Sequence, residues 1–231
     1  MDRNAFLERV RQAAQRGRTY RVHLDDVPDD VGYVGAGTDK CAALAAEVNA
    51  VGGEAVVFDH PDEVAGALDQ LLNQYKPDSA LLWQHPLLDQ LEVGGLLDAA
   101  GVPWFDYARL NELDADAQRQ AMLAAGVGIS SVNFAVGETG TLAVCSEPGR
   151  ERVVSLLPPV HIAIVAATQI VSDLFDVFRE LASVAFDDLP SNLAFITGPS
   201  KTGDIELQLT TGVHGPGNWH VLILRDATGS P

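Results

Sequence analysis

Residues 55–83 read AVVFDHPDEVAGALDQLLNQYKPDSALLW. Two short apolar runs, Ala55-Val-Val-Phe58 and Ala80-Leu-Leu-Trp83, flank a segment with a different period. Between Asp62 and Tyr75, the residues Val64, Leu68, Leu71 and Leu72 fall at i, i+4, i+7 and i+8, one stripe of an α-helix. Apolar runs without alternation suit strands buried on both faces. Strand, amphipathic helix, strand is the βαβ unit, and it implies parallel strands covered by helices.

The same alternation extends both ways. Upstream, Thr38 is placed to cap a helix with Leu44, Val48 and Val51 on one face and Gly52-Gly53 as its stop. Downstream, residues 87–100 predict a helix broken near Gly94-Gly95, followed by a strand over Val102–Phe105 and a helix over 111–125. The pattern then changes. Ser131–Val136 and Thr141–Cys145 are strand-like runs joined by Gly137-Glu-Thr-Gly140, a hairpin. Val160–Ala166 predicts a buried strand after the Pro158-Pro159 break, and Ser172–Phe186 an amphipathic helix. Leu193–Thr197 predicts a strand buried on both faces, stopped by Gly198-Pro199. Ile205–Leu209 and Val221–Leu224 predict two more strands. Residues 4–16 form an amphipathic helix, and 17–37, with Asp25, Asp26, Asp29 and Asp30, an irregular extension. The expectation is an α/β fold of one domain over the 231 residues.

Composition narrows the function. The formal net charge of −17 repels phosphate backbones and acidic lipid, which disfavours nucleic acid and membrane surfaces as partners. The N-terminal stretch is charged and lacks the apolar core of a signal peptide, and no apolar run reaches the roughly 20 residues of a membrane helix. A cytoplasmic location is expected. Cys41 and Cys145 are the only cysteines. They cannot complete the four-thiolate shell of an iron–sulfur cluster, and no zinc spacing is present, so no cofactor or metal is expected in this chain.

Three segments carry candidate chemistry. Gly198-Pro-Ser-Lys-Thr-Gly-Asp-Ile-Glu206 follows a strand and sets glycines beside Ser200, Lys201 and Thr202, the make-up of a small-anion loop. It is not a phosphate-binding P-loop, because the Lys precedes Gly203 and Asp204 follows it. Gly212-Val-His-Gly-Pro-Gly217 holds His214 on a stiff loop, suited to proton transfer. Glu138, in Gly137-Glu-Thr-Gly-Thr141, is a candidate base or nucleophile. Glu138 and His214 are therefore the catalytic candidates. Thr139, Gly140, Thr141, Gly198, Ser200, Lys201, Thr202, Gly203, Asp204 and Glu206 are the ligand-binding ones. The expectation is convergence on one pocket with Lys201 as anion contact. The competing reading is a set of separate surface turns with solvated charges.

In order, Gly128-Ile-Ser130, Glu138-Thr-Gly-Thr141, Leu157-Pro-Pro-Val-His161, Gly198–Glu206 and Gly212-Val-His-Gly-Pro216 span a signature region of 126–224. This ordered set resembles the LUD (lactate utilization) family. Within it, the chain is similar to the lactate utilization protein C branch rather than to longer relatives with a Cys-rich cluster module. One departure is Gly203, where the family often has Ala. The resemblance implies a three-layer α/β sandwich around a mainly parallel sheet, similar to the sugar-phosphate-isomerase and CoA-transferase group. It also implies a component of bacterial L-lactate oxidation to pyruvate, without its own iron–sulfur cluster, acting with iron–sulfur lactate utilization proteins. The rivals are a stand-alone enzyme of the CoA-transferase or isomerase type and a small-anion-binding protein.

Overall fold

A computed structural model describes residues 3–17, 35–185, 189–203 and 209–225. Two compact units are distinguished, 1–34 and 35–231. The first contains helix α1 (Arg3–Gly17), whose Phe6, Leu7 and Val10 are exposed. The remainder of the expected extension as far as residue 34, with its four aspartates, lies outside the described residues.

The second unit runs α2 (Lys40–Ala50), β1 (Glu54–Phe58), α3 (Pro61–Tyr75), β2 (Ala80–Leu82), α4 (Pro86–Gln90), α5 (Val93–Ala99) and β3 (Trp104–Phe105). It continues with α6 (Tyr107–Asn111), α7 (Ala115–Ala124), β4 (Val127–Ser130), β5 (Phe134–Val136), β6 (Thr141–Cys145), α8 (Val153–Leu156) and β7 (Val160–Ala166). After a 3-10 turn come β8 (Ile170–Val171), α9 (Leu174–Ala182), β9 (Leu193–Ile196), β10 (Lys201–Gly203), β11 (Leu209–Thr211) and β12 (Asn218–Leu224).

Six strands form a sheet in the order β1-β12-β7-β4-β2-β3, and every pairing is parallel. The βαβ expectation is met here. Strand β7 is buried along its whole length, and each buried Ile or Val contributes roughly 1.5–3 kcal/mol. Alternation along β12 shows helices on both faces. The Trp219 ring lies against Gly53 and beside Val48 of α2, while the next side chain, His220, meets Tyr75 of α3. On the α2 side Gly128 of β4 admits α8. A β-carbon there would overlap the Val154 carbonyl oxygen, so no other residue fits without moving that helix.

A second sheet, β8-β5-β6-β9, is built on the predicted β5–β6 hairpin. It differs from expectation at β9, which is an edge strand with Phe195 40% exposed rather than a strand buried on both faces. Other differences have local causes. Residues 111–125 are not one helix, because Asp106 and Asp114 each cap a separate one. Asp39, not Thr38, caps α2 through the Ala42 amide. Val127–Ser130 is a strand that its glycine concealed. Lys201–Gly203, read as loop, pairs antiparallel with Leu209–Thr211. Of the strand predicted over 205–209, only Leu209 is described; Phe186, the predicted end of the α9 helix, is also outside the described residues.

Candidate functional site

The candidate segments are organised along α2. Gly137 touches Ala36, and a β-carbon there would lie 3.6 Å from the Lys40 carbonyl oxygen. At Gly140 it would lie 2.6 Å from both the Glu47 carbonyl carbon and the Val48 nitrogen. At Gly198 it would lie 2.9 Å from the Val51 carbonyl oxygen. Gly140 and Gly198 also have φ of 64° and 95°, the left-handed region that favours glycine. From Lys40 to Val51 a helix rises about 16 Å. The hairpin tip and the 198–203 segment therefore lie in a row along this helix, and they adjoin where Thr141 meets Thr197.

Within that row the structure makes specific joins. The Thr139, Thr141 and Thr197 hydroxyls form a chain with O···O distances of 2.7 and 2.8 Å. Thr141 is buried and Thr139 exposed, so the chain leads from the sheet interior to the surface. The Ser200 amide donates to the Pro216 carbonyl (2.8 Å), and the Gly212 amide donates to the Ser200 carbonyl (2.9 Å). That double tie holds the His214 loop against Ser200. His214 itself is exposed. Lys201 is placed differently from the anion contact expected of it. Its Nζ donates to the Val51 carbonyl oxygen at 2.6 Å, at the end of α2. An ammonium there satisfies a terminal carbonyl and complements the helix dipole.

Glu138 is half-buried, with its amide donating to the Ser172 carbonyl (3.2 Å). Thr202 is half-buried in β10, and Gly203 pairs with Leu209. Asp204 and Glu206 lie outside the described residues. Sequence reasoning missed Thr197 as the third hydroxyl and the Val51 carbonyl as the partner of Lys201. No spacing rule could join residues 51 and 201.

Two further groups shape the electrostatics. Arg225, just after β12, holds Asp39 through two bonds of 2.9 and 2.8 Å. With the Ala42 amide, that guanidinium lowers the Asp39 carboxyl to about 2. His161, at the centre of the parallel sheet, pairs Nε2 with Ser130 Oγ at 2.8 Å. Complete burial, with a smaller effect from His220, lowers it to about 4, so it is neutral at physiological pH. Burial raises the thiols of Cys41 and Cys145, both free. Among the described residues no three His, Cys, Asp or Glu side chains gather as a metal site, and no helix is long and apolar enough to cross a membrane.

Helices on both faces of a parallel sheet, with a second sheet laid along α2, define a three-layer α/β protein of mixed topology. Comparison with known proteins gives the family. The LUD domain matches residues 41–224, and the chain belongs to that family. Lactate utilization protein C of Halalkalibacterium halodurans is 32% identical over 71% of this chain and 70% of its own length. The protein of the same name from Geobacillus thermodenitrificans is 26% identical over 97% of both chains. Among solved structures, a DUF162 family protein from Deinococcus radiodurans superposes with a TM-score of 0.56, covering 80% of this chain and 96% of the other. At 18% identity that likeness is one of fold.

Proposed function

We propose that this chain serves in lactate utilization as a cytoplasmic subunit without its own iron–sulfur cluster, acting with iron–sulfur partner proteins that oxidise L-lactate to pyruvate. One observation carries the reading: relatives bearing the name lactate utilization protein C match it at 32% identity over 70% of their length and at 26% over 97%. Its two cysteines, 104 positions apart as Cys41 and Cys145, supply half the usual ligands of a cluster. The part left for this chain is to hold a small anionic substrate or to present a docking face.

The geometry favours the hairpin over the 198–203 segment as the substrate end. The exposed Thr139 there heads a chain of three hydroxyls, O–H donors suited to an anion, with Glu138 beside it as the candidate base, whereas the Lys201 ammonium is engaged on α2. Deleting the gene in the organism that carries it should abolish growth on L-lactate and spare growth on glucose. The wild-type gene should restore growth, and Glu138→Gln should fail to do so while the protein stays folded. Undiminished growth of the deletion strain on L-lactate would refute the role in lactate utilization. Full rescue by Glu138→Gln would refute the assignment of the hairpin.

A further inference from the structure

Strand β9 ends the second sheet, and alternation along it fixes which backbone groups face its outer edge. The Ser146 amide of the β6 side donates to the Asn192 carbonyl, while the Cys145 amide turns the other way, to Asn133 Oδ1. Asn192, Ala194 and Ile196 therefore direct their backbone groups to β6, and Leu193 and Phe195 direct theirs outward. Among the described residues nothing hydrogen-bonds to those outward groups. Sheet edges are normally blunted by a charge, a proline or a bulge. The strand Leu193-Ala-Phe-Ile196 has none of these, and no residue from 189 to 200 is charged.

An apolar ridge lies beside this edge. Helix α9 buries Val177 in the small core it shares with Val136, Ala143 and Leu193. It turns Leu174, Phe175 and Phe178 outward, at 38%, 71% and 49% exposure. The Phe178 ring centre stands 6.0 Å from that of Phe195, so helix and strand present one surface. At about 200 Å² for a whole Phe, these four side chains expose roughly 400 Å² of apolar area. A patch of that size is often functional, and it is about half of the roughly 800 Å² that each partner buries in a stable interface.

We propose that this face joins two copies of the chain about a two-fold axis, β9 pairing antiparallel with β9 of the second copy. The strand is its own complement. With Leu193 of each copy opposite Phe195 of the other, each such pair exchanges both of its N–H···O bonds, and Ala194 meets Ala194 of the second copy on the axis. A small residue then sits at the closest approach. Leu193 and Phe195 lie on the α9 side, so Phe178 of each copy flanks the seam. Charge agrees with the choice of place. Two chains of net charge −17 repel, and they meet here on an uncharged strand beside an Asp176 already paired with Arg179.

Sedimentation of the full chain over a range of concentrations should show a monomer–dimer equilibrium. Phe195→Lys sets a charge in the seam at an exposed position and should weaken dimerisation at least about tenfold, with the circular dichroism spectrum unchanged. Leu123→Ser, at a 66% exposed site on α7, should leave dimerisation unchanged. Ala194→Cys reads the register. Opposite residues of a non-hydrogen-bonded pair have Cα atoms about 4.5 Å apart, within disulfide reach, so mild oxidation should give a covalent dimer on a non-reducing gel. The wild type, whose Cys41 and Cys145 are buried, should give none. If Phe195→Lys fails to fold, the Ala194→Cys cross-link decides alone. A chain monomeric at every concentration, a dimer undiminished in folded Phe195→Lys, or a dimer that Ala194→Cys does not cross-link would each overturn the proposal.

Discussion

Replacing Gly140 by Ala tests whether the signature glycines are contact points on α2. Two costs arise at this position. With φ at +64°, a β-carbon adds roughly 1–2 kcal/mol of backbone strain. The same atom would stand 2.6 Å from two backbone atoms of α2, which cannot turn aside as a side chain can. Overpacking of that kind typically costs about 1–3 kcal/mol. Together they predict a loss of roughly 2–5 kcal/mol, and at about 2–4 °C per kcal/mol for a chain of this size, a Tm drop of roughly 4–20 °C. Two other glycines separate the contributions. Gly37 has φ of 65° and nothing within 4 Å, so Gly37→Ala should cost only the strain, about 1–2 kcal/mol. Gly66 is an open helical position in α3, and Gly66→Ala should stabilise by about 0.5–1 kcal/mol. Urea unfolding of the three variants, with circular dichroism scans for Tm, gives the order Gly66→Ala, wild type, Gly37→Ala, Gly140→Ala. Equal losses at Gly37 and Gly140 would refute the close approach, leaving only the conformational argument.

Three other outcomes follow from named groups. His161 has a folded pKa of about 4 against an ordinary 6.5, so its contribution is fully present above pH 6.5 and is lost as pH falls toward 4. The loss is on the order of 3 kcal/mol. His161→Gln should flatten this part of the stability profile, and the profile of the variant measured by urea unfolding checks it, His85 and His220 supplying a residual slope of the same sign. Asp114 accepts the Asp116 and Ala117 amides at the start of α7, so Asp114→Ala should cost about 1 kcal/mol in urea unfolding; a gain would mean that 111–125 is one continuous helix. Lys201→Met should cost about 1 kcal/mol by the same measurement and still restore growth on L-lactate, because the ammonium serves the end of α2. Failure to restore growth with unchanged stability would return Lys201 to the ligand.

The sequence carried the parallel sheet because a period-3.6 stripe between two unbroken apolar runs has few other readings. It carried the hairpin at 137–140 because Gly-Glu-Thr-Gly between two strand-like runs is turn chemistry. It misjudged Leu193–Ile196 because an apolar run reports what the strand tolerates and is silent on its neighbours. The open edge beside Phe195 depends on which strand pairs with β6. The break at Asp114 was readable, since an Asp ahead of a helical run is a cap, but helical periodicity on both sides masked it.

The candidate site shows the same limit in a sharper form. Residue types told what the 198–203 segment could bind, and Gly, Ser, Lys and Thr are what an anion loop needs. They are also what a segment needs to lie flush on a helix end, donate to its last carbonyl and pair through its backbone with a neighbouring loop. The choice between the two turns on one distance, 2.6 Å from Lys201 Nζ to the Val51 oxygen, between residues 150 positions apart. A cation committed to a helix terminus is less available to a ligand. The Lys201 ammonium and the close approach of Gly198 to the Val51 carbonyl together make this segment a brace on the end of α2.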